Sequence, residues 1–519
     1  MCVFQSKKGK LNCPKYKIRK MSQRLPSLLL TFVCAAGAQP TFYLPEHLRG
    51  GEFAAQHPSL VPPPHLAGPK PSFIDVPVDH FNGGTATWKL KYWTTTSAEW
   101  SAAKPGPIFI EMPGEGAAGG PPSVRKGSLI DHFNGVGVGL EHRFFGTSIP
   151  LNSSTTKALD AYLSVQQNLA DIVFLLAHIK DAMKLPANHP VVSLGGSYSG
   201  ASAAWIRMAY PSQITAAIAL SPPIRATLDF RAYDESNAAA LASPAPSCRD
   251  QTVATMRALD AAIAADEIKT MALFNASHLH ATPMGLTDFL YGIADAAASP
   301  VQYGQKAVLC SALAAALPAH PTQDEYVEFY ANWTLKQYGG AYFHGCFYNS
   351  DCMRDAEHAY PAESARSWYH FKCSELGYLQ TATPTPSSPE RDGVNPSVRP
   401  SSLTVATLIA QCNYIFKRET HGVNATQLLG AAIDKFNHKF GGADSSAGLF
   451  ATASKIGFFD YSDDPWRTAS VLKTTRASLP VHLAVCDGCG HCGSGATPSI
   501  AKEVAQIQVQ LLTAWLKTT

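Results

Sequence analysis

The hexapeptide Gly195-Gly196-Ser197-Tyr198-Ser199-Gly200 lies between an apolar β-type run, Val191-Val192-Ser193-Leu194, and an Ala-rich helical segment that reaches Tyr210. A serine on so tight a strand-to-helix turn presents its Oγ at the end of the strand, with the following backbone N–H aimed at any oxyanion formed there. That makes Ser197 a candidate nucleophile and the Tyr198 N–H a candidate oxyanion donor. The turn needs small residues two before and two after the serine; Gly195 and Ser199 meet that need, although Ser199 stands where the strict G-x-S-x-G pattern has glycine. A Gly/Ser-rich loop without chemistry would read the same over six residues, so the assignment depends on partners elsewhere.

A serine hydroxyl is a weak nucleophile until a histidine accepts its proton and a carboxylate orients that histidine. Around such an elbow the chain order is serine, then acid, then histidine, each of the last two on the loop after a later strand. Asp464, in Asp463-Asp464-Pro465-Trp466, follows the apolar run 456–459, and His491 follows the run 481–485. Asp463 or Asp460 could replace Asp464, and Asp-Pro alone is an ordinary turn. His491 belongs to Cys486-Asp487-Gly488-Cys489-Gly490-His491-Cys492, whose cysteines and histidine are also zinc-type ligands. Crowding them into one short loop, with His491 and Cys492 adjacent, would strain a tetrahedral site. The expectation is a disulfide that stiffens the histidine loop, with no metal and no other cofactor.

The elements around these residues alternate. Apolar runs at 107–112, 136–140, 191–194, 214–220, 456–459 and 481–485 read as strands, a helical period runs through 159–183, and an amphipathic helix closes the chain at 499–516. Strands alternating with helices imply a parallel sheet covered on both faces, here an α/β-hydrolase fold. The pattern lapses after Pro222. Residues 223–435 are mainly helical in character, hold most of the isolated cysteines and contain a Pro/Ser-rich interruption at 381–402. They read as a cap inserted between the two parts of the hydrolase domain, 73–222 and 436–519. Residues 39–72, rich in Pro and His, read as a flexible arm or pro-segment.

Hydrophobic residues make up 46% of the 519 and charged ones 16%, with a formal charge of +3, which excludes wholesale disorder and makes nucleic acid an unexpected partner. Within 1–38, the stretch 21–38 has a basic residue, a short apolar run and the small-residue pattern Ala36-Gly37-Ala38, so it reads as a signal peptide behind an upstream extension. The apolar run is too short for a permanent membrane anchor. Asn152, Asn275, Asn332 and Asn424 each open an N-x-S/T sequon and are candidate glycosylation sites. Once Cys2, Cys13 and Cys34 leave with the leader, an odd number of cysteines remains for an oxidising compartment: disulfides for most, one thiol unpaired. Oligomeric state is not fixed by the sequence, a homodimer being one option.

The blocks Val78-Asp79-His80-Phe81-Asn82, Pro113-Gly114-Glu115-Gly116, Glu141-His142-Arg143-Phe144-Phe145-Gly146, Gly195 to Gly200 followed by Ala204-Trp205-Ile206-Arg207, Tyr210-Pro211, Cys373-Ser374-Glu375-Leu376-Gly377, Asp464-Pro465-Trp466 and Gly490-His491-Cys492 occur in this order. In combination they resemble the serine peptidase family that includes lysosomal Pro-Xaa carboxypeptidase, dipeptidyl peptidase II, thymus-specific serine protease and fungal prolyl endopeptidases. The resemblance runs from about Val76 to the C-terminus. It places the family's serine, aspartate and histidine on Ser197, Asp464 and His491, and implies cleavage of proline-containing peptides in a secreted, lysosomal or vacuolar setting. Two departures stand out. The usual Gly-Gly-Glu-Gly is Pro-Gly-Glu-Gly, so that Gly114, Glu115 and Gly116 are all eligible as second oxyanion donor. The usual Asn-Gly ahead of the aspartate is Tyr461-Ser462.

Trp205, Trp466 and Glu375 are candidate substrate-binding residues, although an aromatic on the helix after the elbow is equally a core residue. Glu141 and Arg143 are expected to pair with each other or cap a loop. An esterase or lipase using the same three residues, or a secreted binding protein without catalysis, are the alternative readings. Endo-, dipeptidyl and carboxypeptidase action all stay open.

Overall fold

The computed structural model describes residues 70–517 except 244, 385–395 and 419–423. The upstream extension, the signal peptide and most of the arm read from the sequence therefore lie outside the described residues, as does part of the Pro/Ser-rich interruption.

The described residues form ten strands: β1 (Ser72–Pro77), β2 (Thr87–Thr96), β3 (Ile108–Glu111), β4 (Val136–Leu140), β5 (Val191–Gly196), β6 (Ala216–Leu220), β7 (Thr227–Asp229), β8 (Gly377–Leu379), β9 (Ile456–Tyr461) and β10 (Val481–Ala484). Eight form one sheet in the order β1-β2-β4-β3-β5-β6-β9-β10. The pairs β1–β2 and β2–β4 are antiparallel and every pair from β4 to β10 is parallel. The apolar runs of the sequence become the parallel strands to within a residue or two. The hairpin β1–β2 was not legible that way: β2 alternates buried residues such as Trp88 and Leu90 with exposed Thr87 and Lys89, so only half of it is apolar.

Side-chain alternation along the strands builds a core on each face. Val191, Ala217, Ala219, Ile456 and Phe458 point to one face, where they meet α1 (Val165–Ala182) and α2 (Tyr198–Ala209); Val192, Leu194, Ile218, Leu220 and Phe459 point to the other, under the C-terminal helix Pro498–Leu516. With helices on both faces and a mainly helical insertion between β6 and β9, this is the α/β-hydrolase fold. The long helical stretch read from the sequence is divided: a helix at Thr156–Tyr162 ends at Leu163, and α1 begins afresh with Ser164 capping the Gln167 N–H.

The insertion carries the small parallel pair β7–β8 and most of the remaining helices, among them α3 (Gly285–Gln302), α4 (Lys306–Ala316) and α5 (Gln323–Tyr338). The helix Ala425–Phe440 runs across residue 435, where the sequence reading placed the end of the cap. Disulfides join Cys248–Cys310, Cys346–Cys352, Cys373–Cys412 and Cys486–Cys489, and Cys492 is a free, buried thiol. The first closes a loop of 62 residues. By chain entropy alone such a link is worth about 4 kcal/mol.

Candidate active site

β5 runs into α2 through Ser197, whose φ of 61° and ψ of −133° are strained for a residue with a side chain. Its backbone N–H is held by Leu220 O at 3.0 Å and its C=O by the Ala201 N–H at 2.9 Å, so both flanking elements fix the turn. Gly195 leaves no room for a side chain, since an added Cβ would lie 2.1 Å from Ser199 O, and at Gly200 it would lie 2.6 Å from Leu220 O. The second crowded position is therefore 200 and not 199, which is why Ser199 is tolerated there. Ser197 itself is half-buried, at the end of the strand.

Tyr198 is fixed from its far end. The His142 Nδ1 faces Arg143 O at 2.8 Å and, because a carbonyl only accepts, carries the proton; its Nε2 then accepts from the Tyr198 hydroxyl at 3.0 Å. Burial pushes the His142 imidazole down to about 4, so it stays neutral in that role. Glu115 lies close enough to His491 for their charges to interact, and burial pushes its carboxyl up to about 7 against the pull of its own backbone N–H and of His491. Gly114, beside it, would place a Cβ 3.4 Å from Ser199 Oγ, so the 113–116 turn borders the elbow, whereas Gly116 is exposed.

Asp464 and His491 come together. The His491 Nδ1–H donates to Asp464 Oδ2 at 2.8 Å, and the other carboxylate oxygen accepts from the Trp466 N–H at 2.9 Å. Asp464 is wholly buried and His491 is 1% exposed. Burial by itself would lower the imidazole, but the Asp464 charge, then Cys492 and the hydrogen bonds to both, hold it well above the usual histidine value. The other two aspartates are engaged elsewhere: Asp463 accepts from the Gly488 N–H at 2.7 Å, and Asp460 accepts from Ser470 Oγ at 2.9 Å. The histidine loop also meets the serine turn, because Cys492 Sγ lies 2.9 Å from where a Cβ on Gly196 would be, and the Cys492 N–H donates to Ser221 Oγ at 2.9 Å. Two of the zinc-type ligands, Cys486 and Cys489, are bonded to each other instead.

The remaining candidates divide. Trp466 is half-buried, 6.2 Å from the His491 ring, and packs on Phe230, Tyr233 and Tyr378. Trp205 is completely buried against Phe436 and Phe440, which is the core alternative of its two readings: α2 turns that face into the core. The Glu375 carboxylate accepts from the Val165 N–H at 3.0 Å, capping the start of α1, and burial pushes its carboxyl up to about 7. Glu141 and Arg143 do not pair with each other. Arg143 grips Asp171, with Nε and Nη2 at 2.6 and 2.7 Å, while Glu141 accepts from Lys91 Nζ at 3.1 Å and from the Thr147 N–H at 2.9 Å. Glu141 thus takes the loop-capping alternative, which its contact with the Ala118 N–H at 3.1 Å extends, and Arg143 pairs with a residue far along the chain.

Residues 76–510 match the model of the family described as serine carboxypeptidase S28. The chain belongs to this serine peptidase family. A probable serine protease of Arabidopsis thaliana is 30% identical over 74% of this chain and 73% of its own length. The thymus-specific serine protease of Homo sapiens is 34% identical over 35% of this chain and 36% of its own, and the human lysosomal Pro-X carboxypeptidase 41% over 16% and 17%. Among solved structures, proline iminopeptidase of Mycobacterium smegmatis is similar with a TM-score of 0.34 and 13% identity over 85% of this chain and 99% of that one. Membership of the S28 family makes peptides the substrate class. Among the described residues of this S28 peptidase, no helix is long and apolar enough to cross a membrane.

Proposed function

We propose that this S28 peptidase cleaves peptide bonds next to proline through an acyl-enzyme formed on Ser197, with His491 as general base and Asp464 as its orienting acid. The observation that carries the reading is the buried His491–Asp464 hydrogen bond of 2.8 Å, set on a loop that touches the strained Ser197 turn. Because Nδ1 holds its proton for Asp464, Nε2 is the nitrogen able to take the proton of Ser197 as it attacks the peptide carbonyl. The Tyr198 N–H and a donor from Gly114 or Glu115 stabilise the oxyanion. His491 then hands the proton to the leaving amine, and water releases the acyl group. The aromatic wall at Trp466 offers a flat apolar surface suited to a pyrrolidine ring, which supports proline specificity, as does the name of one relative, the lysosomal Pro-X carboxypeptidase.

Ser197→Ala tests the reading directly. The variant should fold, and should lose both labelling by an organophosphonate and hydrolysis of a proline-containing peptide; retained labelling would place the nucleophile elsewhere. Turnover of a simple acyl ester that exceeds that of the peptide would favour an esterase instead.

Glu115 adds a pH expectation. Below pH 7 its carboxyl is neutral, and as pH rises through about 7 it acquires a charge within reach of His491, on the turn that borders the elbow and is proposed to hold the oxyanion donor. Anion against anion opposes the transition state, so this ionisation contributes an alkaline limb to kcat/KM, set against the rise as His491, held above the usual histidine value, loses its proton. Glu115→Gln should move the alkaline limb to higher pH; an unmoved limb assigns that ionisation to another group.

The insertion is proposed to cap the site, and export through the 21–38 signal sequence to give a secreted or lysosomal glycoprotein. Support comes from the disulfides and from Asn152, Asn275, Asn332 and Asn424, all of them exposed.

A further inference from the structure

The loops that carry Asp464 and His491 follow different strands, and pairing of β9 with β10 aligns only their bases. A short piece of the insertion, the link 302–306 between α3 and α4, reaches both. Gln302 touches each loop: its Oε1 accepts from Trp466 Nε1 at 2.9 Å, and its carbonyl accepts from Ser494 Oγ at 3.2 Å. Gly304 lies so close under the histidine loop that an added Cβ would stand 2.6 Å from the carbonyl oxygens of both Gly488 and Ser494. Lys306, the first residue of α4, completes the link. Its Nζ lies 2.8 Å from Asp463 Oδ2 and 2.6 Å from Asp487 Oδ1, and donates to Ala240 O at 3.1 Å.

Asp463 immediately precedes Asp464, and Asp487 belongs to the disulfide-closed turn that leads into His491. The same two loops also touch directly, through the Asp463 N–H to Cys489 O at 2.9 Å and the Gly488 N–H to Asp463 Oδ2 at 2.7 Å. The side chain of Lys306 is only 4% exposed. An ammonium in such a place is costly unless its charge is matched and its protons are used. Here two carboxylates and a carbonyl do both, and the carboxylates come from the two loops whose relative placement sets the Asp464–His491 hydrogen bond.

We propose that Lys306 is a positioning residue, the clasp by which the helical insertion holds the Asp464 and His491 loops in register. This rests on the reading of those residues as acid and base. It gives the insertion a role in catalysis beyond covering the cleft, because a shift at the start of α4 moves both loops at once.

The experiment compares the full-length enzyme with Lys306→Met, Lys306→Arg and the triple variant Lys306→Met/Asp463→Asn/Asp487→Asn. Amide hydrogen exchange is followed in peptides covering 461–466 and 486–495, with the β1–β2 hairpin as the fold control, and kcat and KM are measured on a proline-containing peptide. Lys306→Met should speed exchange in both loops but not in the hairpin, and lower kcat about 100-fold, with KM changed by less than about threefold, because misplacement of a catalytic group costs chemistry more than binding. Lys306→Arg should recover most of the loss. In the triple variant, where no carboxylate is left unmatched, kcat should stay low. Unchanged exchange in the two loops of Lys306→Met, or a triple variant within about twofold of the wild-type kcat, would overturn the clasp. Failure of the wild-type enzyme to react with an organophosphonate would instead remove the triad reading, and the exchange data would still decide the clasp.

Discussion

Asp464→Asn is expected to lower kcat about 10⁴-fold without unfolding the protein. Asp464 now satisfies two donors with two oxygens, the Trp466 N–H and the His491 Nδ1–H. Asparagine has a single oxygen. If that oxygen stays with the backbone N–H of Trp466, the amide NH₂ faces His491 and forces Nδ1 to accept, which moves the imidazole proton to Nε2 and leaves no base for Ser197. If it turns toward His491 the tautomer survives, but the charge that holds the imidazolium is lost, and the acid limb of kcat/KM should move to lower pH. Either way the pH–rate profile changes together with kcat, while thermal unfolding stays close to wild type because the two side chains have nearly the same shape. A variant that keeps activity within about tenfold would mean that another carboxylate orients His491. Asp463 and Asp460 are the neighbours to examine, and both are committed elsewhere.

Arg143→Met is expected to cost about 3–5 kcal/mol of stability, the largest loss foreseen for a residue outside the triad. Arg143 and Asp171 are wholly buried, and beyond its two contacts with Asp171 the guanidinium donates through Nη1 to Val78 O at 3.1 Å and Tyr162 O at 2.7 Å. It thereby ties the loop that follows β4 to α1 and to the chain after β1. Methionine of similar length would fill the space but would leave the Asp171 carboxylate with one side-chain partner, His80, whose Nε2 lies 2.7 Å away. The loss arises mainly from that stranded charge, so Arg143→Met/Asp171→Leu should be far more stable than the single variant. Denaturant midpoints for the two proteins decide the matter: equal midpoints would show that the ion pair, once lost, leaves nothing unpaired behind.

The same strand end shows which partners a sequence does not reveal. Glu141 and Arg143 are two apart and opposite in charge, an arrangement that suggests mutual pairing, yet their partners Lys91 and Asp171 lie at remote positions in the chain. Trp205 and Trp466 looked alike as aromatics near catalytic segments. The helical phase of α2 turned the first into the core, and the short helix after Asp464 left the second half-buried beside His491. Lys306 carries one local signal in the sequence, a lysine opening an otherwise apolar helical run, Ala307-Val308-Leu309. Its two acceptors lie near residues 464 and 491, and no local pattern connects such distances.

Sequence alone determined the parallel strands and the tight turn at Ser197, and it marked Ser197, Asp464 and His491 as candidates in that order, because strand burial and tight turns restrict residue types over a few consecutive positions. It also fixed the family, through blocks whose order is itself the signal. Tertiary structure decided which of Asp460, Asp463 and Asp464 faces His491, which glycine positions are crowded at the turn, which tryptophan stays half-buried and which cation contacts both loops. Those outcomes depend on directions in space between segments far apart in the chain, and direction is set only when the sheet and its insertion close on each other.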